Sequence, residues 1–437
     1  MSTYTDHVSE IQRRWSDALA TARFDAAVVA AGTGRTYFLD DQSPPFRPNP
    51  HFAQWLPGAD YPGSHLLIVP GEKPRLYFLQ AEDYWHLPPR TPELGDAVEV
   101  HTYASADALT RALVADVERR NRLAFVGEAD PTGSNQPLGE ENPVLLLNAL
   151  HYGRARKTPW ELECMRAATR LGVRGHRAAV DAFASGASEL AIHHAYLAAA
   201  GVTEADLPYS SIVALNEHAG VLHYQHYDST PPEARHAFLI DAGARFRGYA
   251  CDITRTYAAD PDGEFAALVA ALDRRQRALV AAIRPGGSFV DLHEQMHRML
   301  ADILVEQGLV RCSAAAAFDR RITDAFFPHG LGHLIGLQTH DVAGHMVSPE
   351  GGSRPPPERY PSLRLTRTIE AGQVFTVEPG LYFIPMLLRQ LRRSPHAADV
   401  DWVRVERLLP CGGIRIEDNV HVTRDGVENL TRDAFAA

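Results

Sequence analysis

Cysteine is scarce. Four stand in 437 residues, at positions 164, 251, 312 and 411, never in a C-x-x-C spacing. That excludes a disulfide scaffold and a Cys-type zinc site, and suits reduced thiols in a cytoplasmic protein. No apolar run reaches the ~18 residues that a membrane-spanning helix needs, so no membrane partner is expected. The first twenty residues alternate charged and apolar side chains, which does not read as a signal peptide. Basic charge is also short: 43 Lys and Arg face 54 Asp and Glu, a net of −11. Such a chain is a poor nucleic-acid binder, and Arg389, Arg392 and Arg393 read as a solvated face. A content of 45% hydrophobic and 22% charged residues is ordinary for a globular protein, so disorder, collagen and coiled coil are excluded as the main architecture. What is plentiful is histidine, 21 in all, which directs attention to metal ligands.

The first 157 residues mix strands and helices. Residues 8–23 and 106–120 have helical amphipathicity, while 26–32, 65–71, 74–80 and 123–128 are short apolar runs closed by turn residues. This is the pattern of an α/β domain with a mixed sheet. At Thr158-Pro159-Trp160-Glu161 a cap, a first-turn proline and a glutamate three after the cap open a long helix over 159–184. A second domain, 158–437, then alternates helices (159–184, a helix near 191–201, 263–283, 289–308) with strand-rich blocks at 209–257 and from 326 onward. That order predicts an α+β domain of two similar halves, and the Pro/Gly-rich stretch 348–362 reads as a loop within it.

Four short segments carry chemistry. FLIDAGARFRGYACDITRTY reads as a hairpin that brings Asp241 and Asp252 together, and Asp is depleted in strands unless something requires it. PHGLGHLIGLQTHD spaces His329, His333 and His340 at offsets of four and seven, with glycines that preclude a regular helix. VFTVEPGLYF sets Glu378 in a β-branched run. GGIRIEDNVHV puts Arg415 and Glu417 on one face by period two. A buried strand glutamate is costly unless paired or metal-bound. Four carboxylates and one histidine suit a single dinuclear site, their −4 balancing two divalent ions. Oxygen-rich ligation favours Mn²⁺, Co²⁺ or Fe²⁺ over a thiolate-type Zn²⁺ site.

The order Asp, Asp eleven residues on, His, Glu, Glu resembles the pita-bread metallopeptidases. The strings VALNEHAGVLHY, FLIDAGARFRGYACDITRT, PHGLGHLIGLQTHDVAG, VEPGLYFIP and GGIRIEDNV, with FLDDQSPPFRPNPHF and EDYWH before them, are similar to the bacterial prolidases (Xaa-Pro dipeptidases), a group close to organophosphorus acid anhydrolase. The resemblance implies a creatinase-like N-terminal domain for dimerisation and site capping, followed by a pita-bread catalytic domain. It implies hydrolysis of dipeptides with C-terminal proline, with organophosphate hydrolysis as a side activity and Xaa-Pro aminopeptidase action on longer peptides as the alternative. Asp241, Asp252, His333, Glu378 and Glu417 would hold two divalent ions, Mn²⁺ first, with Asp252 and Glu417 bridging. A water shared by the ions would be the nucleophile. Glu378 would serve as general base and acid, His223 and His340 would steady the scissile carbonyl, and Arg415 would support the ligands. Arg364 would bind the proline carboxylate, and His329, Tyr209 and Trp85 would shape the substrate pocket. Trp85, in EDYWH, would enter the neighbouring subunit of a homodimer, unless it is plain core. Phe289 departs from the organophosphate-hydrolysing relatives, which carry a tyrosine there.

A rival motif is His293-Glu294-Gln295-Met296-His297, which matches H-E-x-x-H on a predicted helix. Leu292, Met296, Met299 and Leu300 make that helix amphipathic, and a zincin reading would leave five convergent ligands unexplained. Metal-free pita-bread proteins, whether binding modules or creatinase-type hydrolases, require replaced ligands, and here all five positions are filled.

Overall fold

The computed structural model describes residues 3–56, 58, 61–129 and 137–437. It forms two compact units. One is Met1–Cys164 with Phe246–Tyr249 and Ser348–Gly352; the other is Met165–Arg245, Ala250–Val347 and Ser353–Ala437.

In the first unit, Thr3 and Asp6 form a capping box that starts the helix Tyr4–Ala22, four residues earlier than its apolar stripe suggests. Val8, Ile11, Trp15 and Leu19 of that stripe pack with Phe52, Trp55 and Leu66. The sheet has six strands in the order Glu99–Tyr103, Arg75–Leu79, His65–Ile68, Ala26–Ala30, Leu123–Val126, Glu140–Glu141. Its pairings are both parallel and antiparallel, as the mixed-sheet expectation requires. Val28, Leu67, Tyr77 and Phe125 on the other face pack with Leu109, Leu113 and Val117 of the helix Ala106–Val117. An apolar strand such as AAVVA has both faces covered, which is what such runs demand.

The second unit repeats one plan. Helices Pro159–Ala184 and Glu189–Ala200 precede the strands Ile212–Leu215, Ala237–Asp241 and Thr254–Ala258; helices Glu264–Ala282 and Phe289–Glu306 precede Val374–Val377, Asp418–Val422 and Val427–Asn429. Each trio is an antiparallel sheet. In the first half, Phe183 stacks on Phe238 with ring centroids 5.0 Å apart, and Ile192 and Tyr196 join the same core. Burying each such side chain is worth about 1.5–3 kcal/mol. An antiparallel bridge between Thr254 and Glu417 joins the two sheets.

Several local expectations are corrected. The block from 326 onward contains two helices, Pro385–Arg392 and Trp402–Leu408, inside text read as strands. Asp252 lies just outside its strand, and the ladder breaks between Arg415 and Asp418. The loop 348–362 begins in a small ribbon, Met346–Ser348 with Gly351–Ser353. Arg389, Arg392 and Arg393 are exposed, with Arg392 paired to Glu406 at 2.5 Å. All four cysteines are free. Among the described residues no helix is long and apolar enough to cross a membrane.

Candidate metal centre

Register brings the carboxylates together. Asp241, the last residue of its strand, pairs with Thr254, and Thr254 bridges to Glu417 on its other side. One row across the joined sheets therefore reads Asp241, Thr254, Glu417. Asp252 stands two residues before Thr254, just ahead of that strand. His333 arrives on a loop zipped to the strand Val374–Val377: Thr376 N donates to His333 O (2.9 Å) and Glu378 N to Leu331 O (2.8 Å). Gly332 permits this approach, since a Cβ there would meet Thr376 O at 2.0 Å. The ligand atoms of Asp252, His333 and Glu417 come within 4.8 Å of one another. His333 Nε2 stands 3.5 Å from Asp252 Oδ2 and 3.6 Å from Glu378 Oε1.

The supporting bonds are equally specific. Arg415 donates to Asp241 Oδ2 (2.7 Å) and to Tyr382 (2.8 Å). Thr254 donates to Glu417 Oε2 (2.7 Å), leaving Oε1 without a donor among the described residues. Asn419 accepts from Asp252 N (2.9 Å) and donates to Asp252 O (2.6 Å). Tyr209 donates to Asp241 Oδ1 (2.7 Å) and also bonds Asp252. It therefore props two carboxylates, where the sequence reading set it on the substrate side. Thr254, Thr376, Arg415 and Asn419 each lie two residues from Asp252, Glu378 or Glu417. Period two could have exposed all four, but sequence reasoning singled out only Arg415. Tyr382 was missed although it sits inside VEPGLYF.

The cluster lacks positive charge. Four carboxylates, two of them buried and two half-buried, face one guanidinium, and three of them resist ionising. Burial, with Asp252 and Asp241 adding, pushes Glu378 up to about 7. Burial and the charges of Asp252, Glu378 and Asp241 hold Glu417 well above the usual range, and burial raises Asp241 against the pull of Arg415. Burial opposes the charge on Asp252 too, but the His333 hydrogen bond and charge bring it below the ordinary value. His333 is correspondingly raised, burial being outweighed by Asp252 and Glu378. His333 Nδ1 faces the Leu334 carbonyl at 3.1 Å. A carbonyl only accepts, so that nitrogen carries the proton and Nε2 remains for a metal. An oxygen-rich set with one oriented imidazole and a shortage of cations fits divalent metal ions.

These shifts set a pH dependence. A carboxyl raised from its ordinary 4.5 to about 7 favours folding below pH ~4.5 and loses that contribution as pH rises through 7. Metal-free protein should lose stability relative to metal-free Glu378→Gln between pH 5 and 8, by about 3 kcal/mol at 1.36 kcal/mol per unit. Urea unfolding at both pH values measures the difference, and a pH-independent gap would contradict the assignment of Glu378.

Around the cluster, His340 is exposed and stands edge-on to His333, centroids 4.4 Å apart. Desolvation, with the charges of His333 and Arg364, takes it down to about 4. His329 is bonded to Tyr382 (2.9 Å) and lies 3.8 Å from Glu378; burial takes it down to about 3. His223 and Arg364 are exposed, and neither has a side-chain hydrogen bond or ion pair among the described residues. Each lies close enough to act electrostatically on His340. Phe289 is buried edge-to-face on Phe375 at 5.2 Å. Trp85, in the other unit, is 76% exposed, so it is not plain core of this chain.

His293 and His297 are buried, at 1% exposure each, and burial takes them down to about 2 and about 3. They stand ring to ring, 4.7 Å apart, with His297 bonded to Thr323. Among the described residues they join no third ligand.

Fold and site together define a metal-dependent hydrolase with the pita-bread fold. The model of metallopeptidase family M24 matches residues 163–424, and that of the Xaa-Pro dipeptidase N-terminal domain matches residues 2–152. The chain belongs to family M24, among its bacterial prolidases. It is 45% identical to Xaa-Pro dipeptidase 2 of Idiomarina loihiensis over 100% of this chain and 99% of that one. It is 46% identical to the Xaa-Pro dipeptidase of Xanthomonas axonopodis, covering 100% and 98%. Among solved structures it resembles Pseudomonas aeruginosa aminopeptidase PepP (25% identity, TM-score 0.71, 98% and 95% covered). Escherichia coli aminopeptidase P in its low-pH form, at 22% identity, TM-score 0.74 and the same coverage, shares the fold.

Proposed function

We propose that the protein is an Xaa-Pro dipeptidase, hydrolysing dipeptides with C-terminal proline by means of two divalent ions, Mn²⁺ first. The carrying observation is the cation-deficient carboxylate cluster flanked by Arg364 and His223, whose side chains have no hydrogen-bond or ion-pair partner among the described residues. Asp241, Asp252, His333, Glu378 and Glu417 would hold the metals, Asp252 and Glu417 being shared. When bound, two such ions lower the pKa of a water and polarise a carbonyl. The chain's own groups do the rest. Glu378, at the edge of the cluster, takes the proton of the attacking water and passes it to the proline nitrogen as the amide C–N bond breaks. His223 and His340 donate to the carbonyl oxygen and its tetrahedral successor. Arg364 binds the proline carboxylate. Arg415 and Tyr209 keep Asp241 oriented, and His329 shapes the proline side of the pocket through Tyr382.

The names and full-length coverage of the relatives, with the matched N-terminal model, support a dipeptidase over an Xaa-Pro aminopeptidase. The test is product analysis on Ala-Pro, Ala-Pro-Ala and Met-Ala-Ser with chelated and Mn²⁺-loaded protein. Free proline should appear from Ala-Pro alone, and only with metal. Equal cleavage of Ala-Pro-Ala would turn the reading to an aminopeptidase.

Residues 1–157 form, in this reading, the dimerising and capping part of a cytoplasmic homodimer, and 158–437 the catalytic part. Tyr84 and Trp85, 88% and 76% exposed with rings 4.8 Å apart, supply an apolar surface for insertion into a partner. Trp85→Ala should alter selectivity among Xaa-Pro dipeptides while light scattering still finds a dimer. Unchanged selectivity would refute the insertion.

A further inference from the structure

The segment after the strand Ile212–Leu215 turns at Asn216–Gly220, carries His223, and continues to Asp228. One carboxylate holds it at both ends. Glu189, in the first turn of the helix Glu189–Ala200, is 1% exposed. Its Oε1 accepts from Leu215 N (2.8 Å) and faces His218 Nδ1 (2.8 Å). Its Oε2 accepts from the Tyr224 hydroxyl (2.7 Å) and from Asp228 N (2.8 Å). Leu190 N donates back to Asp228 O at 3.1 Å, and His218 stacks on Tyr224 with centroids 4.4 Å apart. Ser188 already caps this helix through Ala191 N, so the cap does not require Glu189. Glu189, His218 and Asp228 also have the spacing of a cation site. But a carboxylate offers about four lone-pair sites, and all four of Glu189 face protein groups that can donate. The arrangement is a clasp.

We propose that Glu189 is a positioning residue for hydrolysis: by clasping 215–228 and anchoring Tyr224, it fixes where the adjacent His223 stands beside the scissile carbonyl. The proposal rests on the dipeptidase reading above. His223 has no side-chain partner among the described residues, so its place is set by its backbone, and the nearest anchor along the chain is Tyr224.

The test is a double-mutant cycle on Mn²⁺-loaded protein with Ala-Pro. His223→Ala and Glu189→Gln should each lower kcat/KM at least tenfold, and Tyr224→Phe three- to tenfold, with metal content unchanged. Combining Glu189→Gln with His223→Ala should cost no more than His223→Ala alone. Multiplicative losses, loss of metal in Glu189→Gln, or wild-type rates in both clasp variants would overturn the proposal. If Glu189→Gln does not fold, Tyr224→Phe with His223→Ala decides by the same criterion. Hydrogen exchange reads the clasp without activity. The amides of Leu215 and Asp228 should exchange at least tenfold faster in Glu189→Gln, or in Tyr224→Phe, and unchanged protection overturns the clasp. A wild type inactive on Ala-Pro but active on longer peptides would sink the dipeptidase reading; the same cycle on the peptide it cleaves would then decide the role of Glu189.

Discussion

Glu417→Gln should leave the protein unable to hold its metals and should lower kcat/KM on Ala-Pro by more than a hundredfold. Losing an outer partner of a metal ligand typically costs about 10–100-fold, and Glu417 is placed to do more than support. It is 2% exposed, Thr254 holds one of its oxygens, and the other has no donor among the described residues. An amide keeps the volume and removes the charge that two cations would share. The same change relieves the metal-free protein. Burial and three neighbouring carboxylates hold Glu417 well above its ordinary pKa, so the metal-free variant should be at least as stable as metal-free wild type, a trade of function against stability. Calorimetric metal titration and denaturant unfolding measure the two halves. Two tightly held ions with near-normal turnover would contradict the role of Glu417. Glu294→Gln is the control: the H-E-x-x-H reading makes it the inactive variant, whereas here it should match wild type.

Arg364→Ala should lower kcat/KM for Ala-Pro at least tenfold and for Ala-Pro-amide far less. A guanidinium holding a carboxylate is a charge-assisted, often bidentate pair, and truncating one partner of a buried pair costs about 2–5 kcal/mol. At 1.4 kcal/mol per tenfold this is roughly 30-fold to several-thousand-fold. An arginine merely sitting on the surface would cost under about 1 kcal/mol. Its exposure, its lack of any protein carboxylate among the described residues and its effect on His340 favour the larger figure once substrate covers it. Arg364→Lys should recover only part, lacking the planar fork. Equal losses on acid and amide would show that Arg364 supports fold or metals instead.

The features legible in the sequence are those that break a local rule. Asp241, Glu378 and Glu417 stand in or beside strand text where carboxylates are costly. The glycines of PHGLGH forbid a helix, and Gly332 proves to be where a loop must touch a strand. The Thr158–Glu161 capping box announced the long helix, and its reciprocal bonds are present. What escaped depends on partners distant in sequence. Tyr209 reads as a pocket residue until the fold sets its hydroxyl against Asp241 and Asp252. Thr254 and Thr376 look like ordinary β-branched strand residues until their hydroxyls find Glu417 and Glu378. The helix Pro385–Arg392 is short, and the strands around it dominate the local pattern. The two-half plan showed as an order of elements, because packing and pairing preserve it without preserving residues.

The central claim is that five residues, gathered by two joined sheets and the loop zipped to them, hold two metal ions. Anomalous diffraction from crystals of Mn²⁺-loaded protein, recorded on both sides of the manganese edge, tests it most directly. Two peaks per chain are predicted, both among Asp241, Asp252, His333, Glu378 and Glu417, with Asp252 and Glu417 touching each. A peak between His293 and His297, a peak at Glu189 and His218, or no peak within the five-residue cluster would contradict it.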